Sequence, residues 1–113
     1  MRSLMLVFSD AVAGREAEYD DWYTSTHLPE LLALPGFLGG QRWSRAAAAA
    51  SGLPNCSQRN LAVYELDGDG EKGLAAMMDA AASGRLHMSD TLDQSSVLLW
   101  VFNENGPRQV PLA

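Results

Sequence analysis

SLMLVFS, Ser3 to Ser9, is apolar on both of its alternating sets: Leu4, Leu6 and Phe8 on one, Met5 and Val7 on the other. Side chains of a strand point alternately to opposite faces, so this pattern describes a strand buried on both sides. A second stretch near the other end, SVLLWVF from Ser96 to Phe102, has the same character, with Leu98, Trp100 and Phe102 set against Val97, Leu99 and Val101. Whatever fold holds these two strands must cover both faces of their sheet.

The period changes after Gly14. From Arg15 to His27, Tyr19, Trp22, Tyr23 and Thr26 fall at i, i+3, i+4 and i+7, one face of a helix, and Glu16 and Glu18 suit the positive end of its dipole. Pro29 predicts a kink or restart at Leu28, and Pro35-Gly36 a stop. Phe37 to Ser44 reads as a second strand, in which Gly39-Gly40 marks a bulge or a close backbone approach. Residues 45–60 (RAAAAASGLPNCSQRN) read as a flexible loop, with one or two helical turns open to the alanines, and LAVYEL from Leu61 to Leu66 as a third strand. After Asp67-Gly-Asp-Gly, Leu74, Met77, Met78 and Ala81 restore the helical spacing, with Gly84 as C-cap. Residues 103–113, with Gly106, Pro107 and Pro111, form a tail.

Strand, helix, strand, strand, helix, strand is the order of the ferredoxin-like α+β fold, a four-stranded antiparallel sheet with two helices on one face. The whole chain, 1–113, is expected to be one such domain, since 113 residues suit a single core. Two helices shield one face only. The other is expected to meet a second copy, giving a homodimer through sheet faces: at ~25 cal/mol per Å², several hundred Å² of apolar surface favour association by several kcal/mol before ordering costs.

Composition narrows the partners. Apolar residues make up 47% of the chain and charged residues 19%, a globular balance, and the formal charge of −6 opposes a polyphosphate backbone. Nucleic acid is not an expected partner. Cys56 is the single cysteine, which excludes an intrachain disulfide, a CxxC pair and a four-thiolate metal site. The apolar run behind Arg2 stops at Ser9-Asp10, short for a signal peptide, and no stretch reaches the ~20 apolar residues of a membrane span. A cytoplasmic protein with no membrane partner is the expectation.

His27 is the expected catalytic residue. It follows Tyr23 by four positions on the aromatic side of the helix, and imidazole exchanges protons near neutral pH. The competing reading is a histidine that caps helix-end carbonyls. Tyr23, Tyr64, Trp43 and Trp100 are candidates for the wall of an apolar pocket, against the plainer reading that they are core. His87, in RLHMSD, is a possible second acid/base group or a solvated loop residue. His27 with Glu30 makes a poor metal pair, because Pro29 intervenes and a third ligand is wanting. Asp67, Asp69 and Glu71 imitate a calcium loop but place Lys72 where Gly is needed and Met78 where Glu is needed, so they read as a turn and helix cap. With no GxGxxG after a strand, no Walker pattern and no nucleophile elbow, no metal and no cofactor is expected.

The segment EYDDWYTSTHLPELLALPGFLGGQRW, Glu18 to Trp43, resembles the opening signature of EthD-like proteins of the dimeric α/β-barrel superfamily: a helical aromatic pair, then His, Leu-Pro-Glu, and Pro-Gly-Phe entering strand two. The resemblance, extended by LAVYEL and the strand order, implies a homodimer with a pocket between sheet and helices in each subunit. It also implies chemistry on a small hydrophobic molecule. An enzyme without organic cofactor is therefore expected, a lyase, isomerase, cyclase or monooxygenase acting on an aromatic or polyketide-like compound. The alternative is a non-catalytic binding protein or an accessory to an oxygenase.

Overall fold

The computed structural model describes residues 1–48 and 50–112; Ala49, inside the expected loop, and Ala113, the end of the expected tail, lie outside the described residues. Four strands, β1 (Arg2–Ala11), β2 (Phe37–Ser44), β3 (Asn60–Asp67) and β4 (Leu92–Asn103), form one antiparallel sheet in the order β2-β3-β1-β4. The two doubly apolar strands are thus neighbours. Between β1 and β2 lie α1 (Glu16–Trp22), a π-helical turn (Tyr23–His27) and α2 (Leu28–Leu32); α3 (Gly70–Ala82) lies between β3 and β4. This is the expected α+β ferredoxin-like architecture. Among the described residues no helix is long and apolar enough to cross a membrane.

Met5, Val7, Ala62, Tyr64 and Leu66 of the sheet pack against Tyr19, Tyr23 and Leu31 of the first helical layer, with Phe37 completing the core. Ser3 and Ser9 share this inner face, Ser9 Oγ lying 2.6 Å from the Tyr19 hydroxyl. The outer face is as apolar as its sequence. Cross-strand partners share a face, and the register pairs Leu4 with Phe102, Leu6 with Trp100, Phe8 with Leu98 and Leu61 with Trp43. Trp43, Trp100 and Phe102 are each more than half exposed in the single chain.

Two local readings become more definite. The restart expected at Leu28 is present, with Pro29 in the first turn of α2, and a π turn leads into it. Leu28 N–H bonds to Tyr23 C=O, five residues back, and this π turn carries the helix through to a Pro29 placed in the first turn of α2. Proline lacks the amide that an unbroken α-helix would use and clashes with the carbonyl four residues back, so one wider turn accommodates it. His27 is therefore inside a helical layer, 9% exposed, and not the cap of a free end. The residues described between 45 and 59 contain no helical turn.

In α3 the inward stripe is Gly73, Met77 and Ala80; of the set read from spacing, Met77 packs against the core and Leu74 is half-buried, while Met78 and Ala81 are exposed. Small residues let the helix approach the sheet: a Cβ on Gly73 would lie 2.6 Å from Leu66 Cδ1. Leu66 is fully buried. Gly73→Ala is expected to lower stability by about 1–2 kcal/mol, overpacking strain outweighing the gain in helix propensity, as read from the urea midpoint. Asp69 caps the helix by accepting from Glu71 N–H at 2.9 Å, and Gly84 ends it at φ +74°.

Candidate functional site

Where α3 and the π turn diverge above the sheet, an apolar cleft of about 220 Å³ remains. Its floor is Val7, Val97 and Leu99; its walls include Leu31, Met77, Leu86, Met88 and Leu92; its polar residues are Ser9, Tyr23, His27 and Gln94. None of the lining side chains is an Asp, Glu, Lys or Arg.

His27 is held between rings. It stacks on Trp22 at 4.6 Å between centroids and meets Tyr23 edge-on at 4.9 Å. Its Nδ1 is, among the described residues, the one buried side-chain nitrogen or oxygen without a hydrogen-bond partner. Burial pushes the imidazole down to about 4, with the nearby Glu30 carboxylate opposing only in part. At neutral pH the ring is uncharged, able both to accept and to donate.

Tyr23 faces the same cleft. Its hydroxyl accepts from the fully buried Tyr64 at 3.4 Å, which leaves its own proton free to donate. Burial raises it to about 12, so it acts as a donor and not as a base. Arg42 of β2 steadies the pair from behind. Its guanidinium lies 4.9 Å over the Tyr23 ring and 5.5 Å over Tyr19, while Asp20 holds it at 2.8 Å.

The structure brings together only part of the expected site. His27 and Tyr23 line the cleft, and Tyr64 lies behind Tyr23 without reaching it. Trp43 and Trp100 do not belong to it: both stand on the outer face of the sheet. For Trp43 the cause is a register shift between Phe37 and Gly39, which reverses the alternation so that Phe37, Gly40 and Arg42 point inward and Trp43 outward. Gly40 is needed there, since a Cβ would come within 3.2 Å of both Leu28 and Tyr64. For Trp100 the pairing with Leu6 decides. His87 lines no part of the cleft either. Its side chain is exposed and its Nδ1 bonds to Glu30 Oε2, while its neighbours Leu86 and Met88 line the cleft, Met88 at its exposed edge.

Sequence reading missed Ser9, Arg42 and Gln94. Ser9 carried a signal, lying two residues beyond Val7 on the inward set of β1. Arg42 and Gln94 carried none without the register.

No protein-family model and no curated protein matches the sequence. Solved structures do. An EthD family protein from Bacillus halodurans C-125 aligns with a TM-score of 0.63 at 20% identity, covering 93% of this chain and 100% of that one. An EthD-like protein from Ralstonia eutropha JMP134 gives 0.58 at 17%, covering 89% of each. MhuD, a heme-degrader from Mycobacterium tuberculosis solved with two hemes in its active site, gives 0.65 at 16%, covering 95% of this chain and 99% of that one. Identities this low carry the architecture alone: the chain has the ferredoxin-like fold that EthD-like proteins and MhuD share.

Proposed function

We propose that the protein is an enzyme of the isomerase, cyclase or monooxygenase type, acting on a small uncharged hydrophobic molecule with His27 as its proton acceptor. The observation that carries this reading is the unpartnered His27 Nδ1, buried beside an apolar cleft that contains no charged side chain. An unmet buried polar atom costs about 1–3 kcal/mol, a cost that a purely structural ring such as phenylalanine would avoid.

The simplest chemistry needs only this chain. His27 takes a proton from a carbon beside a substrate carbonyl, the electron pair moves to the carbonyl oxygen, and Tyr23 O–H holds the resulting enolate. Where the substrate carries a β,γ double bond the intermediate is a dienolate, and the imidazolium returns the proton to its γ-carbon, moving the double bond into conjugation with no net consumption of any reagent. Desolvation makes that imidazolium strongly acidic, which favours rapid return, and the enolate beside it offsets the desolvation while it lasts.

Size and charge define the ligand further. A cleft of about 220 Å³ lies below the ~300–1,000 Å³ usual for drug-sized ligands, so it suits one or two fused rings and is too small for a porphyrin. A carboxylate would be buried there without a countercharge. 2-Naphthol is therefore expected to bind, and 2-naphthoate at least tenfold more weakly, by calorimetric titration. Equal or tighter binding of the carboxylate would contradict the reading. Native mass spectrometry of the protein as purified, followed by incubation of any captured compound with wild type and His27→Ala, tests the reaction. Conversion that needs His27 supports an enzyme, and binding without conversion supports a carrier.

We further propose that a second copy of the chain covers the outer sheet face. Leu4, Leu98, Trp100, Phe102 and Trp43 stand exposed on that one side, a contiguous apolar patch of the kind that marks an interaction surface.

A further inference from the structure

The segment joining α3 to β4 supplies Leu86 and Met88 to the wall of the cleft. It is anchored at both ends. Arg85 N–H bonds to Ala80 C=O at 3.0 Å and its guanidinium to Asp79 at 2.8 Å; at the other end Thr91 C=O accepts from Val12 N–H at 2.7 Å and Asp90 pairs with Arg15 at 3.0 Å. Between these anchors one residue ties it to the first helical layer. His87 C=O accepts from Trp22 Nε1–H at 2.7 Å, His87 N–H donates to Glu30 Oε1 at 2.9 Å, and His87 Nδ1 pairs with Glu30 Oε2. Trp22 is also the ring on which His27 stacks.

We propose that residues 85–90 are a door over the His27 cleft and that His87, latched on Glu30 and Trp22, is the positioning residue that holds it shut. The inference rests on the reading of the cleft as the ligand site. The flanking ties are the arginine–aspartate pairs, Arg85 with Asp79 and Arg15 with Asp90. The middle tie joins two groups that answer to each other: the Glu30 carboxylate raises His87 above its ordinary value, and the His87 ring lowers Glu30. Among the described residues Glu30 is the one titratable group that shifts His87, and His27, uncharged at neutral pH, acts on Glu30 in turn. The side-chain latch carries the attraction of an ion pair while His87 is protonated, and that attraction is lost as pH rises through its raised value, leaving only a neutral hydrogen bond. Above that pH the two backbone ties and this weaker bond hold the segment, and ligand exchange quickens.

Diethyl pyrocarbonate, a small neutral reagent that acylates uncharged imidazole, reports on access to His27 directly. Because His27 is depressed to about 4, its uncharged fraction is constant from pH 6 upward, and any change in its rate reflects access. Peptide mass spectrometry separates its modification from that of His87. The wild type is expected to react about fivefold faster at His27 at pH 8.5 than at pH 6, after correction for reagent hydrolysis. Glu30→Ala is expected to react fast at both pH values, and His87→Ala to lose the pH dependence while the backbone ties remain. Equal wild-type rates at the two pH values, or a Glu30→Ala protein no faster than wild type at pH 6, would overturn the door. Failure of 2-naphthol to bind would sink the ligand reading instead, so the two failures are separable.

Discussion

His27→Phe is expected to fold more stably than the wild type and to lose function. A phenyl ring retains the stack on Trp22 and the edge contact with Tyr23, and it removes the buried Nδ1 that has no partner. Relief of that unmet atom is worth about 1–3 kcal/mol at pH 7. The gap should widen in acid. The folded-state value of His27, about 4, lies below its ordinary 6.5, so between those limits the unfolded chain binds more protons than the folded one. Wild-type stability therefore falls as pH drops through that window, by about 3 kcal/mol at pH 4, and the phenylalanine variant lacks this contribution. Urea titrations of both proteins at pH 7 and pH 4.5 measure it. Turnover of any substrate that native mass spectrometry reveals should fall at least ~100-fold, the scale of a lost general base. A variant less stable than wild type at both pH values would mean that the nitrogen has a structural partner.

The second large effect concerns the outer face. Trp100 is 60% exposed in the single chain and contributes nothing to the core, which lies on the other side of β1 and β4. If a second copy covers this face, Trp100→Glu places a carboxylate, and its symmetry mate, in an apolar interface. Like charges and buried unpaired carboxylates each cost several kcal/mol. Sedimentation equilibrium is expected to give twice the 12.2 kDa chain mass for the wild type at micromolar concentration and the chain mass itself for the variant, with far-ultraviolet circular dichroism unchanged. A wild type that stays monomeric under these conditions would refute the dimer. The cleft would stand regardless, since every residue around it belongs to one chain.

Much of the architecture was legible because local patterns agreed with the global answer. The doubly apolar alternation of β1 and β4, the aromatic stripe of the first helix, Gly84 at a helix end and the Gly39-Gly40 irregularity each reappear where residue chemistry placed them. What escaped depended on parity and on distance along the chain. Strand β4 is apolar on both sets, so nothing local says which face Trp100 takes; only its pairing with Leu6 does. A single bulged residue after Phe37 sent Trp43 outward and Arg42 inward. The face of α3 was legible only in part, at Met77 and Leu74, because bulk was equated with burial, whereas Gly73 gains its place by being small enough for the helix to settle on Leu66. The early start of β4 at Leu92 was hidden by polar residues that resemble a turn, Asp93, Gln94, Ser95 and Ser96. His87 meets Glu30 across 57 residues of sequence, a contact that no spacing rule anticipates.

His27 and Tyr23 reach the cleft because both lie on the inward face of one helical layer, and the π turn keeps them there despite Pro29. Their neighbours Gln94 and Met88 come from the far end of the chain. A site assembled in this way exposes its anchor residues to sequence reading and conceals its specificity.

Nitrogen-15 NMR of the imidazoles gives the most direct test of the central claim, that an uncharged His27 awaits a neutral ligand. The protein has only two histidines, and His87→Ala leaves His27 as the sole signal. Its ring nitrogens should report a neutral imidazole from pH 8 down to about pH 5, and both should shift when 2-naphthol is added to saturation at pH 7. A His27 that titrates near 6.5 and ignores the phenol would contradict the account.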